Sequence, residues 1–249
     1  MSGHSKWSTI KRKKGKLDAQ RGRVFTRLGK EVTIAAKEAG GDPDSNPRLR
    51  TAVENAKKAN MPADTIKKAI QKGTGELPGV TYEESTYEGY GPGGVAMYIE
   101  VLTDNKNRTV AEIRHIITKH NGNLGENGSV AWIFQKVGQI TVPEGSTDED
   151  TLMMSALDCG ASDVAGEDGQ FLVTTEFAQL YAVRDGLEKT GVEVSEAVVT
   201  MIPQNTVKLE GTQAEQMLKL FEALEDHDDV QSVYANFDID DDVMEQFEA

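Results

Sequence analysis

The sequence predicts an α+β protein: a small N-terminal three-helix bundle followed by two ferredoxin-like α/β sandwich domains, the second inserted in the first. Three observations carry that expectation. Residues 18–73 repeat apolar side chains at helical spacing between clear stop signals. Residues 138–201 run strand, helix, strand, strand, helix, strand, the order of a ferredoxin-like unit. On either side of that unit stands one βαβ half, over 95–134 and 205–237, as expected when one domain interrupts another. The expected boundaries are 1–78 for a basic arm plus bundle, 79–135 with 204–240 for one α/β domain, 136–203 for the inserted one, and 241–249 for an acidic tail.

Residues 1–16 lack an apolar period and read as an arm. From Asp18 to Ala39, Phe25, Leu28, Val32 and Ala36 recur at spacings of three and four, and Gly40, Gly41, Asp42 and Pro43 stop the helix. Asn46 followed by Pro47 announces a second helix, a cap and a first-turn proline, with a narrow face of Leu49, Ala52, Val53 and Ala56. A third begins at Pro62, uses Ile66, Ala69 and Ile70, and ends before Gly73. Beyond Pro78, VAMYIEVL (95–102) reads as a strand and TVAEIRHIITKH (109–120) as an amphipathic helix with Thr109 and Glu112 as a capping box. SVAWIF (129–134) reads as the next strand. The inserted unit then places strands at 138–142, 162–165, 170–175 and 192–201, with helices at 149–158 and 177–190. Val207 to Leu209, a helix carrying Met217, Leu220, Phe221 and Leu224, and DVQSVYANF (229–237) complete the outer domain. The last residues, DIDDDVMEQFEA, read as an acidic tail with no core to join.

Charge is divided along the chain. Residues 1–78 hold 18 Lys and Arg against 8 Asp and Glu, a balance of +10. The rest holds 9 against 33, a balance of −24, giving the chain its −14. Such division points to a polyanion-binding end on a body with another role. A basic arm folded back on its own acidic body is the competing reading. The single cysteine, Cys159, excludes an internal disulfide and suits a reducing cytoplasm. No run approaches the ~18 apolar residues a membrane helix needs, and no apolar stretch follows the basic leader as in a secretory signal.

The arm is the strongest candidate site: Lys6, Lys11, Arg12, Lys13, Lys14 and Lys16 neutralise phosphates whatever their sequence. Trp7 within it either stacks on an exposed base or packs the arm onto the bundle. Arg21 and Arg23 carry the basic stripe onto the first helix, and Lys57, Lys58, Lys67 and Lys68 carry it across the bundle. The short turn at 59–62 is compatible with a helix-turn-helix, but Lys-rich faces position a protein on phosphate and do not read base edges. Lys106, Arg108 and Arg114, at or near a helix N-terminus, form a second candidate contact, with a solvated helix face as the alternative. The glycine-rich YEGYGPGG (87–94) lacks the Lys-Ser/Thr ending of a phosphate loop and reads as a tight connection between strands. His4, His115, His120 and His227 form no ligand pair at metal spacing, and EDHDD (225–229) is no calcium loop. Neither enzymatic activity nor a cofactor or metal is expected.

GHSKW (3–7), DAQRG (18–22), GGDPDSNPRLR (40–50), NMPADTIKKAIQKG (60–73), YEGYGPGGVA (87–96), DNKNRTVAEIRH (104–115) and GNLGENGSVAW (122–132) together resemble the YebC family, the bacterial relatives of the mitochondrial translational activator of cytochrome c oxidase. The resemblance implies three domains, no enzyme activity and a cytoplasmic location. It also implies one of two roles. One is a translation factor binding ribosomal RNA near the peptidyl-transferase region of the large subunit and relieving stalling. The other is a regulator binding double-stranded promoter DNA. The Lys-rich arm ahead of a small bundle favours the first, and the absence of a dimer signature favours a monomer.

Overall fold

The computed structural model describes residues 17–167 and 169–248, with side chains undescribed at 17–21, 167, 241, 245, 246 and 248. They form two compact units, residues to 132 with 205 onward, and residues 133–204. The α+β class is as expected: a helical N-terminal region followed by antiparallel sheets.

In the first unit, helices α1 (Leu17–Ala39), α2 (Pro47–Lys58) and α3 (Ala63–Thr74) make the bundle around Val32, Ala35, Ala36, Leu49, Ala56, Met61 and Ile66. Asn46 caps α2 by accepting from the Leu49 N–H at 3.0 Å. Its side-chain amide donates at 2.8 Å to the carbonyls of Ala35 and Gly40, so one buried residue fastens the second helix to the end of the first. Gly73 lies inside α3 and does not end it; Gly75, at φ +83, does. A Cβ at Gly73 would stand 2.3 Å from the Thr33 carbonyl oxygen, so the glycine permits α1 and α3 to touch backbone to backbone.

The sheet of this unit has the order β3-β1-β2-β9, from β1 (Glu83–Tyr90), β2 (Ala96–Thr103), β3 (Asn123–Leu124) and β9 (Val230–Ala235). All its pairings are antiparallel, with Glu83 opposite Thr103 and Met97 opposite Ala235. Helices α4 (Lys106–Lys119) and α7 (Gly211–Glu225) supply Ile113, Ile117, Met217, Leu220 and Phe221 to one core with Met97, Ile99 and Val233. The sequence expectation needs correction here. Of residues 129–134 only Phe134 lies in a strand, as the first residue of the next one, because the N–H groups of Val130 and Ala131 are spent on the Glu88 carboxylate. The strand comes instead from 83–90, whose acidic residues hide its alternation. Helix α4 begins three residues before the expected capping box: Asn105 is the cap, and the Thr109 hydroxyl is turned inward.

The glycines of 87–94 are structural, as read from sequence. Gly93 sits at φ +71, and a Cβ there would meet Leu209 at 2.4 Å. The tail reading of 241–249 is also corrected. Residues Asp241–Glu248 form helix α8, in which Met244 is fully buried in the core with Val243 and Phe247 against it. The apolar spacing 243, 244, 247 is helical but hidden by six carboxylates among DIDDDVMEQFEA. The short β8 (Val207–Lys208) and β10 (Phe237–Asp238) pair in parallel beside it.

The second unit runs β4 (Phe134–Pro143), α5 (Glu149–Asp158), β5 (Asp163–Glu167), β6 (Gln170–Glu176), α6 (Leu180–Lys189) and β7 (Glu196–Pro203). Its sheet order β5-β6-β4-β7 is the ferredoxin-like arrangement. Ile140, Val142, Val173, Leu152, Leu180 and Leu187 pack between sheet and helices.

The packing of α8 gives a direct test. Met244→Ala should destabilise the protein by about 2–5 kcal/mol, the range for a truncated buried methionine. A thermal melt equal to that of the wild type would restore the tail reading.

Candidate nucleic-acid interface

Helix α1 carries two faces. One holds Phe25, Leu28, Val32 and Ala36 and faces the bundle. The other, at spacings of four, three and four, holds Arg23, Arg27, Lys30 and Ile34, and three of these are basic. That second face meets the acidic end of α7 and the turn beyond it. Arg23 pairs with Asp226 at 2.7 Å. Lys30 pairs with Asp229 at 2.6 Å, with side chains 9% and 5% exposed. Its two remaining N–H bonds go to the carbonyls of Asp228 (2.9 Å) and Leu102 (3.3 Å), which satisfies all three donors of the ammonium.

Asp229 in turn accepts from Arg108 at 2.7 Å and from the Thr109 hydroxyl at 2.8 Å, with the Thr103 hydroxyl at 3.2 Å. Burial alone would push this carboxyl up. The hydrogen bonds from Lys30, Arg108 and Thr109 outweigh it and hold Asp229 well below the usual carboxylate range. His227 accepts the Asp229 N–H on Nδ1 at 3.1 Å and reaches Glu112 through Nε2 at 2.9 Å, which fixes the proton on Nε2. Ligand atoms of Glu112, His227 and Asp229 lie within 4.8 Å of one another, yet Asp229 already serves four donors. The cluster is therefore an ionic joint between helix α1 and the sheet.

Two residues of the expected site, Arg23 and Arg108, meet carboxylates in and beside this joint. Arg108 is a tie within the chain, shared by Asp229 and Asp104, and Arg23 is tied to Asp226. Lys106 pairs with Glu83 at 2.8 Å, both half exposed, an attachment worth little that leaves the ammonium in solvent. Arg114 is exposed on α4. Lys57 and Lys58 lie in the last turn of α2, and Lys67 and Lys68 in the second turn of α3. All four are exposed, and no ion pair among the described residues engages them. They flank the 59–62 turn, where Asn60 takes φ +60. Lys6, Trp7, Lys11, Arg12, Lys13, Lys14 and Lys16 lie outside the described residues; Arg21 lies in α1, and its side chain is not among those described.

Lys30 and Asp229 were not visible as a site from sequence. The signal was the Arg23, Arg27, Lys30 spacing set against EDHDD, two opposite charge runs that need each other once both are removed from water. A second buried carboxylate organises the neighbouring loop. Glu88 accepts from the N–H groups of Gly128 (2.6 Å), Val130 (2.7 Å) and Ala131 (2.8 Å). Burial opposes its ionisation, but the three N–H bonds prevail and keep it below the ordinary range.

A helical head with free lysines, joined through a buried ionic hub to an acidic α/β body with an inserted ferredoxin-like unit, defines a specific class of multidomain α+β proteins. Residues 5–76 match the model of the TACO1/YebC protein N-terminal domain, and residues 82–237 match that of the TACO1/YebC second and third domain. The chain belongs to the TACO1/YebC family. It is 58% identical over 246 residues to a protein of Geotalea uraniireducens (strain Rf4), covering 99% of each chain. It is likewise 58% identical over 250 residues to one of Syntrophus aciditrophicus (strain SB), covering 100% of each. Both relatives are named "Probable transcriptional regulatory protein". A crystal structure of a conserved hypothetical protein from Aquifex aeolicus superposes with a TM-score of 0.82 at 47% identity, over 90% of this chain and 93% of that one.

Two outcomes follow from the joint. Lys30→Met should destabilise the protein and lower its melting temperature, by less than the ~3–5 kcal/mol of an uncompensated buried charge, because Arg108, Thr109 and Thr103 still hold Asp229. Asp229, with its lowered pKa, stabilises the fold fully above the unfolded carboxylate value of about 3.9. That contribution is lost as pH falls from there through the depressed folded value. Wild type should therefore lose stability below about pH 4 more steeply than Asp229→Asn, measured by urea unfolding across pH.

Proposed function

We propose that this protein is a non-enzymatic, monomeric regulator of gene expression that binds nucleic acid through its arm and helical bundle. Its preferred target is folded ribosomal RNA of the large subunit, near the peptidyl-transferase region, where it relieves stalling. The observation that carries this reading is the fate of the basic residues. Lys30 is buried against Asp229, and Arg23 and Arg108 each pair with a carboxylate while staying partly exposed, whereas Lys57, Lys58, Lys67 and Lys68 stand exposed near one turn of the bundle with no ion pair among the described residues. Lysines in such a cluster attract phosphate without selecting bases.

A reader of promoter DNA would place α3 in the major groove, with its first residues at base edges. Those residues are Ala63, Asp64 and Thr65, and the acidic Asp64 opposes entry into a phosphate-walled groove. Gln71, the one amide on α3, is hydrogen-bonded to Glu76 at 3.4 Å. The regulatory name carried by the relatives favours the second reading, a promoter-binding transcriptional regulator.

Ribosome co-sedimentation of the full chain separates the two. Wild type should travel with the large subunit and resist duplex DNA at equal phosphate. Replacement of Lys57, Lys58, Lys67 and Lys68 by Ala should weaken the association and lower the log–log salt slope by about 0.7–0.9 per lysine that contacts phosphate. Displacement by duplex, or no travel with ribosomes, would give the transcriptional reading the lead.

A further inference from the structure

Between α1, α3 and the connection into β1 lies a cavity of about 250 Å³. Its lining residues include Ile34, Leu77, Val80 and Tyr82, and the charged ones are Lys37 and Lys72. No carboxylate lines it, in a chain of net charge −14. Neither lysine has an ion-pair partner among the described residues, and both are exposed. Val80 is an exposed apolar side chain, 53% accessible. Tyr82 is held by the joint itself: the buried Lys30 ammonium lies 5.6 Å from its ring centroid.

We propose that this cavity receives one unpaired nucleotide of a single-stranded segment, an inference that rests on the nucleic-acid reading above. The chemistry matches in three respects. An aromatic ring among aliphatic side chains suits the face of a base. Two ammonium groups suit its phosphate. The volume falls just under the ~300–1,000 Å³ of ordinary small-molecule sites, room for a single nucleoside unit and not for a dinucleotide. The C-terminal end of α3 borders the cavity and carries partial negative charge, so Lys37 and Lys72 are the phosphate's partners and the helix end is not. A duplex buries its bases in the stack and has none to offer. The cavity would thus make the bundle prefer RNA that is locally unpaired.

The test fills the cavity without changing charge. Gly79 lines it, adopts no positive φ, and a Cβ there would meet Cβ and Cγ of Lys72 at 3.3 Å, so the variant fills the cavity beside the root of that lysine and the double lysine variant separates the two effects. Full-length wild type, Gly79→Leu and the Lys37→Ala, Lys72→Ala double variant would be titrated with fluorescein-labelled oligouridylate, oligothymidylate of equal length, and an RNA duplex of equal phosphate count. Thermal melts would run alongside. The expected result is a loss of at least about fivefold in oligouridylate affinity for Gly79→Leu, the lower end of one base–aromatic stack, with duplex affinity held within about twofold. An equal loss for oligothymidylate would show that base and phosphate suffice; a loss confined to oligouridylate would add the ribose hydroxyl or the unmethylated C5 edge of uracil. Unchanged single-strand affinity, or equal loss on single strand and duplex, would overturn the cavity and leave the broader reading standing. Failure of wild type to bind any of the three would overturn both.

Discussion

The first unit depends on one buried ion pair, Lys30 with Asp229. Taking both charges out of water costs several kcal/mol each unless every donor and lone pair is met. Here each is met: the ammonium has three acceptors and the carboxylate has four donors. Such a pair is weak evidence for stability, since apolar residues of similar volume often do as well. Its value lies in geometry. It joins α1 of the bundle, the end of β2, the first turn of α4 and the turn before β9, four segments that are distant in sequence. A shift of α1 by one residue would take the Lys30 ammonium from its three acceptors and leave Asp229 one donor short.

The same logic recurs at Glu88. Its carboxylate gathers three backbone N–H groups from residues 128–131, and the Tyr90 hydroxyl donates to the Ser129 carbonyl at 3.0 Å. A segment with the composition of a strand is thereby held as a turn. Gly122 and Gly125, where a Cβ would lie 2.5 Å from the Tyr90 oxygen and 2.6 Å from the Ser129 hydroxyl, let the chain close onto β1. The glycine and acidic residues of 87–94 and 122–128 thus solve one packing problem together. A phosphate loop would leave its N–H groups free for a ligand; within 87–94, those of Gly91 and Gly94 go to the carbonyls of Val95 (2.8 Å) and Gly91 (3.1 Å).

Much of this fold was legible in the sequence because its helices are bounded by strong signals, such as Asn46-Pro47 for α2. The inserted unit was legible because its elements alternate in the βαββαβ order of a ferredoxin-like unit, each bounded by clear turns. The outer sheet was harder. Its strand over 83–90 alternates under a load of glutamates, and its edge partner β3 is two residues long. Helix α8 was missed for a similar reason, with Met244 and Phe247 sitting among carboxylates. The candidate site was legible as charge and illegible as pairing. Composition counts Arg23, Lys30 and Arg108 as positive, but only the fold shows that α7 ends where α1 begins to need anions.

That consumption of charge changes what the N-terminal excess means. Part of the +10 over residues 1–78 neutralises the acidic turn at 225–229 through α1; the competing expectation, an arm folded on the body, concerns residues 1–16, which lie outside the described residues. What remains on the bundle is the exposed set on α2 and α3, with Lys37 and Lys72 beside the cavity. The body, at −24 over residues 79–249, repels phosphate over a distance of about one Debye length, ~8 Å at physiological salt. A nucleic acid approaching this chain therefore meets attraction at the bundle and repulsion elsewhere. With nonspecific attraction confined in this way, an orientation is imposed before any short-range contact forms. On the proposal made above, an unpaired nucleotide, and not a base sequence, would then be what the bundle selects.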